Sequence, residues 1–162
     1  MIASVLTVLA GSAALAGPRD SFTVTGGLYF PTDDVASDLI GSPFWQLGAN
    51  YNIQSDPQLE HSFGVGMIWK SKDIGVGDAT VRMLPLTYTL RYKSGAGLFL
   101  GGGAGMYYCT VDEPAEDSLH KWKGGVHGCV GYDMGALALE LRYSNIFNTK
   151  MSGFSVSAGA VF

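Results

Sequence analysis

Between Ser21 and Phe162 the chain alternates apolar residues with small or polar ones at a period of two, in eight separate stretches. Successive side chains of a strand leave on opposite faces, so each stretch predicts a β-strand with one apolar face. The first runs from Ser21 to Phe30 and sets Phe22, Val24, Leu28 and Phe30 against Ser21, Thr23, Thr25 and Tyr29. Phe44 to Ile53 is the most regular, with Trp45, Leu47, Ala49, Tyr51 and Ile53 opposite Gln46, Gly48, Asn50 and Asn52. A third, from about Glu60 to Lys70, has Phe63, Val65, Met67 and Trp69 on one face and Ile68 out of step. The others cover about 79–92, 97–110, 124–134, 136–144 and 153–162.

The connections alternate in length. Long ones fall at about 31–43, 71–78, 111–123 and 145–152, and short ones at 54–58, 93–96 and Met134-Gly135. An even number of strands with long loops at one end and tight turns at the other is the plan of a small outer-membrane barrel. The fold expected is all-β, an eight-stranded antiparallel up-and-down transmembrane β-barrel, with both termini on the short-turn, periplasmic side. A soluble eight-stranded barrel of lipocalin type would bury its apolar face and charge its exterior. Here the polar face is rich in Gly and poor in Lys and Glu.

Composition sharpens this. Of 162 residues 47% are hydrophobic and 15% charged, against roughly 25% charged in an ordinary soluble domain. Mean hydropathy is +0.19. Disorder is excluded, because it needs low hydrophobicity and high charge. A net charge of −4 with 10 Lys and Arg argues against nucleic acid as a partner. Residues 1–16, MIASVLTVLAGSAALA, end in the small-x-small pattern Ala14-Leu15-Ala16 and read as a signal peptide, although the usual cationic start is missing. Residues 17–162 then form the barrel domain. After this segment no apolar run reaches the ~18–20 residues of a membrane helix.

Aromatic residues fall at strand ends, where Trp and Tyr favour a lipid–water boundary. Tyr29, Phe30, Phe44, Trp45, Trp69, Tyr107, Tyr108 and Phe147 lie toward the long loops; Tyr51, Phe63, Tyr92, Tyr132 and Phe162 lie toward the short turns. With the segment Met83-Leu84-Pro85-Leu86-Thr87-Tyr88-Thr89-Leu90-Arg91-Tyr92, the glycine strand from Leu98 to Tyr108 and a last strand closing on Phe162, residues 21–162 resemble the small eight-stranded outer-membrane β-barrel family that includes the OmpA membrane domain and OmpX. The resemblance implies an outer-membrane location, contact with outer-membrane lipid and lipopolysaccharide, and a C-terminal signal for the barrel-assembly machinery at Phe154, Val156, Ala158, Ala160 and Phe162. Activity stays open, since barrels of this shape serve as anchors, adhesins, small pores and lipid A enzymes.

Few ionisable residues have inward parity: Lys70, Arg91, His127, Asp133, Glu140 and Arg142. With Met134-Gly135 as a two-residue turn, His127 faces Arg142 and Cys129 faces Glu140. Two readings follow. In one, Glu140 orients His127, which activates Ser155 or Ser157. In the other, favoured here, His127, Glu140, Arg142 and Asp133 form an ion-pair and hydrogen-bond plug in a lumen just wide enough for side chains. A lipid A deacylase would carry a His beside Ser144-Asn145, and none is there; His120, Asp117 and Ser118 in the third loop read more simply as solvated residues. No metal is expected, because His61, His120 and His127 lie in separate segments and Asp33-Asp34 suits a solvated loop. No cofactor is expected either.

A hairpin centred on Leu119 would set Cys109 opposite Cys129, which predicts a cross-strand disulfide formed in an oxidising compartment. The function expected is a monomeric, non-enzymatic outer-membrane barrel whose loops serve surface interaction or envelope integrity. Its alternatives are a lipid A-modifying acyl hydrolase or acyltransferase and a narrow pore. No residue pattern identifies the extracellular partner.

Overall fold

The computed structural model describes residues 20–33, 41–73, 78–112 and 119–162, so the proposed signal segment and the loop residues Asp34, Asp117 and Ser118 lie outside the described residues. Eight strands follow one another: β1 (Asp20–Pro31), β2 (Phe44–Gln54), β3 (Leu59–Asp73), β4 (Asp78–Lys93), β5 (Leu98–Asp112), β6 (Leu119–Asp133), β7 (Leu137–Ile146) and β8 (Gly153–Val161). Each pairs antiparallel with the next, and β8 returns to β1 to close the barrel. Closure runs from Thr23↔Val161 to Pro31↔Gly153, and Phe22 and Phe162 exchange backbone hydrogen bonds beyond it. Among the described residues no helix is long and apolar enough to cross a membrane.

The faces divide as the alternation requires. Trp45, Leu47, Val65, Leu86, Leu100, Leu139 and Val156 are among the large apolar side chains left exposed on the outside. The inward face holds Thr23, Asn52, Ser62, Thr89, Arg91, His127, Ser155 and Ser157, all buried. This is an inverted protein, apolar outside and largely polar inside, as a wall facing lipid demands. Ile68 leaves the outward pattern because it points in, 4% exposed.

Four details differ from the sequence expectation. Strands β3 to β6 continue into segments expected as loops, for example through the pairs Ser71↔Thr80 and Asp73↔Asp78, so the second and third long connections shrink to residues 74–77 and 113–118. The β6–β7 turn sits one residue later than expected. Met134 N donates to Leu137 O at 2.7 Å, with Gly135 at φ +81° and Ala136 at the centre. A two-residue turn with one glycine and an ordinary second residue takes the glycine first, where positive φ is needed. His127 therefore faces Ser144 and Cys129 faces Arg142, not Arg142 and Glu140.

The β5–β6 hairpin is likewise displaced. Leu119 is strand, paired with Val111, and the register sets Cys109 opposite Lys121 and Cys129 opposite Gly101. β5 ends at Asp112 and β6 begins at Leu119. Finally, Tyr29, Phe44 and Tyr107 are 1%, 0% and 2% exposed inside the barrel, not at a lipid boundary.

Close packing explains much of the glycine. Phe99 points inward, 3% exposed, and a Cβ on Gly131 would collide with its ring and with the Leu139 carbonyl. Gly131→Val is expected to displace Phe99 and destabilise the barrel by about 1–3 kcal/mol, read as a lower urea midpoint of tryptophan fluorescence in detergent micelles.

Candidate functional site

The inward face of β4 records the interior in one line: Val81, Met83, Pro85, Thr87, Thr89, Arg91, Lys93. Aliphatic side chains occupy the long-loop end, hydroxyls the middle and cations the short-turn end.

At the short-turn end three cations and three acids interlock. Lys93 Nζ lies 2.5 Å from Glu60 Oε2 and 3.2 Å from Asp133 Oδ2. Arg91 donates to Glu140 at 2.7 Å and lies 3.3 Å from Glu60. Arg142 Nε donates to Glu140 at 2.8 Å. Asn52 joins the group, accepting from Ser62 at 2.7 Å and donating to Thr23 at 3.0 Å, and the Arg91 guanidinium stacks 4.9 Å from the Phe99 ring centre. Buried charge is tolerated when paired and hydrogen-bonded, and here each charge has an opposite.

At the other end Tyr29, Phe44, Ile68, Val81, Met83, Tyr107, Ile146 and Met151 form an apolar cluster inside the barrel. Met151 comes from the β7–β8 connection, and its carbonyl accepts the Tyr29 hydroxyl, which folds that connection into the mouth. Between the two ends lie cavities of about 40 and 30 Å³, both lined by Gln46, Pro85, Thr87 and Arg142. Each has about the volume one water needs.

The residues proposed for catalysis are placed in this lumen but not in a catalytic order. His127 Nε2 shares a 2.8 Å hydrogen bond with Thr89 Oγ1, and Nδ1 has no protein partner. Glu140 is occupied by the two arginines. Ser157 sits opposite Glu140 and Ser155 opposite Arg142 across the β7–β8 ladder. No serine bonds the imidazole among the described contacts. His120 is exposed on β6 with its ring stacked against Tyr108, 6.2 Å between centres. Lys70 donates to the Pro43 carbonyl at 2.9 Å. Among the described residues no three His, Cys, Asp or Glu side chains gather as a metal site would require.

Sequence reasoning missed Glu60, Lys93 and Asn52 as members of the network. Their parity already gives the signal, since Glu60 shares a face with Ser62 and Lys93 with Arg91; of the three, only Lys93 falls in an expected turn.

The expected disulfide is absent: Cys109 and Cys129 are free. The register puts Cys129 beside Gly101, eight positions from Cys109 along β5, or roughly 26 Å at strand rise, far beyond the ~7 Å limit for a bridge. On β8, Phe154, Val156 and Phe162 are exposed on the outer wall, with Ala158 and Ala160 on the same face.

The closed antiparallel barrel, its apolar wall and its ion-paired lumen define the chain as a transmembrane β-barrel in architecture. No protein-family model matches the sequence and no curated protein matches it. Solved structures do. The Yersinia pestis outer membrane protein Ail in a phospholipid nanodisc superposes with a TM-score of 0.60 at 11% identity, over 89% of this chain and 99% of that one. Neisserial surface protein A gives 0.51 at 12%, over 88% and 94%. A de novo designed transmembrane β-barrel gives 0.53 at 14%, over 90% and 98%. The chain thus has the fold of the small eight-stranded outer-membrane barrels. A designed barrel fits as well as a natural one, so this fold by itself carries no activity.

Two outcomes follow. Arg91→Met leaves Glu60 and Glu140 short of their shared cation and is expected to cost about 3–5 kcal/mol, measured by urea unfolding in lipid vesicles, with Arg91→Met/Glu140→Gln recovering part of the loss. Unfolded without reductant, the protein should take up two maleimide labels by mass; none would restore the bridge.

Proposed function

We propose that the chain is an outer-membrane barrel that presents its long-loop end at the cell surface for contact with other molecules, without catalysis of its own. The observation that carries this is strand length. Strands β3 to β6 have 15, 16, 15 and 15 residues, whereas about 9–11 suffice to cross a bilayer. The short-turn end is flush, with pairs such as Gln54↔Glu60 and Lys93↔Phe99 next to tight turns. The excess therefore rises at the other end as a four-stranded ledge.

One side of the ledge is an edge. β7 pairs with β6 only as far as Ile146↔Gly125, so Leu119 to Lys123 pair with β5 alone. Exposed His120, Lys121 and Trp122 line it. Such an edge offers backbone donors and acceptors to an extended segment, and its lysines discourage pairing between copies, in keeping with a monomer. Two outward aromatic belts support the membrane setting: Trp45 and Trp122 toward the ledge, Tyr92, Tyr132 and Phe162 toward the turns, all exposed. The alternating outward residues of β8 would serve as the segment read by the barrel-assembly machinery.

An epitope inserted within residues 113–118 is expected to bind antibody on intact cells, and one at Ser94-Gly95 only after permeabilisation. The reverse pattern would invert the orientation. Lipid A mass spectra should be identical with and without expression. A changed acyl pattern that disappears in His127→Ala would replace this reading with an enzymatic one.

A further inference from the structure

On the outer wall near the short-turn rim two polar side chains meet. His61 and Tyr88 both point outward from β3 and β4, and His61 Nδ1 lies 2.8 Å from the Tyr88 hydroxyl. Two other tyrosines of this end bond at the rim: Tyr51 donates to Asp20 at 2.8 Å and Tyr92 to Gln58 at 3.1 Å. Tyr88 lies four residues past Tyr92 along β4, about 10 Å further along the axis at ordinary strand rise and tilt. His61 stands opposite Leu90, only two residues past the level of Tyr92, so the Tyr88 hydroxyl reaches from the apolar wall to an ionisable group near the membrane boundary, where lipid headgroups begin.

Beside the pair is an open crevice of about 650 Å³ in the wall, lined by Phe63, Val65, Leu86, Tyr88, Ala104 and Met106. It exists because Ala104 stands opposite Tyr88 across the β4–β5 ladder, while Phe63 stands opposite Tyr88 on the other side. The Phe63 and Tyr88 rings pack 5.2 Å apart and wall off one flank. The crevice is apolar along its length, and at one end stands Tyr88, whose hydroxyl meets the His61 imidazole. In the tautomer whose Nδ1 accepts the Tyr88 proton, Nε2 carries a hydrogen with no protein partner among the described contacts.

We propose that this crevice holds one glycerophospholipid, with an acyl chain along Val65, Leu86 and Ala104 and a phosphate oxygen accepting from His61 Nε2–H. The match is of both parts at once: a long alkyl group for the crevice and an acceptor oxygen at its polar end. The pair lies on the short-turn half of the wall, which, on the orientation argued above, faces the phospholipid leaflet. The inference rests on that reading for the leaflet, and on the wall geometry for the site.

The test uses the full chain refolded in nanodiscs of phosphatidylethanolamine and phosphatidylglycerol, transferred to mild detergent and weighed by native mass spectrometry. One retained phospholipid per barrel is expected. His61→Phe and Ala104→Leu, which remove the donor and fill the crevice, should each lower the retained fraction at least fivefold, while Lys150→Ala on the far loop leaves it unchanged. Diacylglycerol with the same chains should be retained no better than by His61→Phe. Tyr88→Phe, a minimal change, should shift the His61 ring-nitrogen resonances away from the Nε2–H tautomer. Equal retention by all variants, preference for lipid A, or a dimer in place of bound lipid would overturn the proposal. Failure of the wild-type chain to enter the bilayer at all would instead overturn the membrane reading.

Discussion

A backbone amide or carbonyl left unpaired in hydrocarbon costs several kcal/mol, and strands cannot satisfy their own. The ladder between β1 and β8 answers that constraint, since without it two full edges would face lipid. Everything else follows from closing the sheet at eight strands. The wall must be apolar, so polar side chains turn inward, and the interior is narrow enough that they must fit one another closely. Gly131 yields its space to Phe99, and Phe99 in turn packs on Arg91.

The interior is not uniform. Arg91 joins Glu60 to Glu140, and Lys93 extends the chain of charges to Asp133, while the opposite mouth is closed by aliphatic and aromatic side chains with Met151 as its cover. One end is held by directional pairs whose removal leaves charge uncompensated, the other by burial that tolerates small changes of shape. The ledge above the aliphatic end thus stands on a base that can adjust, whereas the flush end is fixed.

Much of this was legible in the sequence. The two-residue period gave eight strands and the face of nearly every side chain, because parity depends on nothing beyond the strand itself. Register was harder, because it depends on where a turn places its centre. Gly135 moved one hairpin, and the pairing of Leu119 with Val111 moved another, taking Cys129 away from Cys109. Tyr29, Phe44 and Tyr107 looked like boundary aromatics because their distance from the strand end suited a membrane surface; their parity was the better guide. Glu60 and Lys93 escaped notice at strand ends, and no local pattern showed that both would converge on the same partners. The polar pair at His61 and Tyr88 needs residues 27 apart in sequence, a meeting that only the β3–β4 register creates.

Both displaced hairpins moved by an even number of positions, so every side chain kept its side of the wall. Lipid cannot distinguish such slips: a strand shifted by two exposes an equally apolar face. The lumen can, because the acids on β3, β6 and β7 meet the cations on β4 and β7 in one arrangement only. Solvent outside and charge inside therefore reject different errors during assembly, the first screening for which way a strand faces and the second for how far along its neighbour it sits.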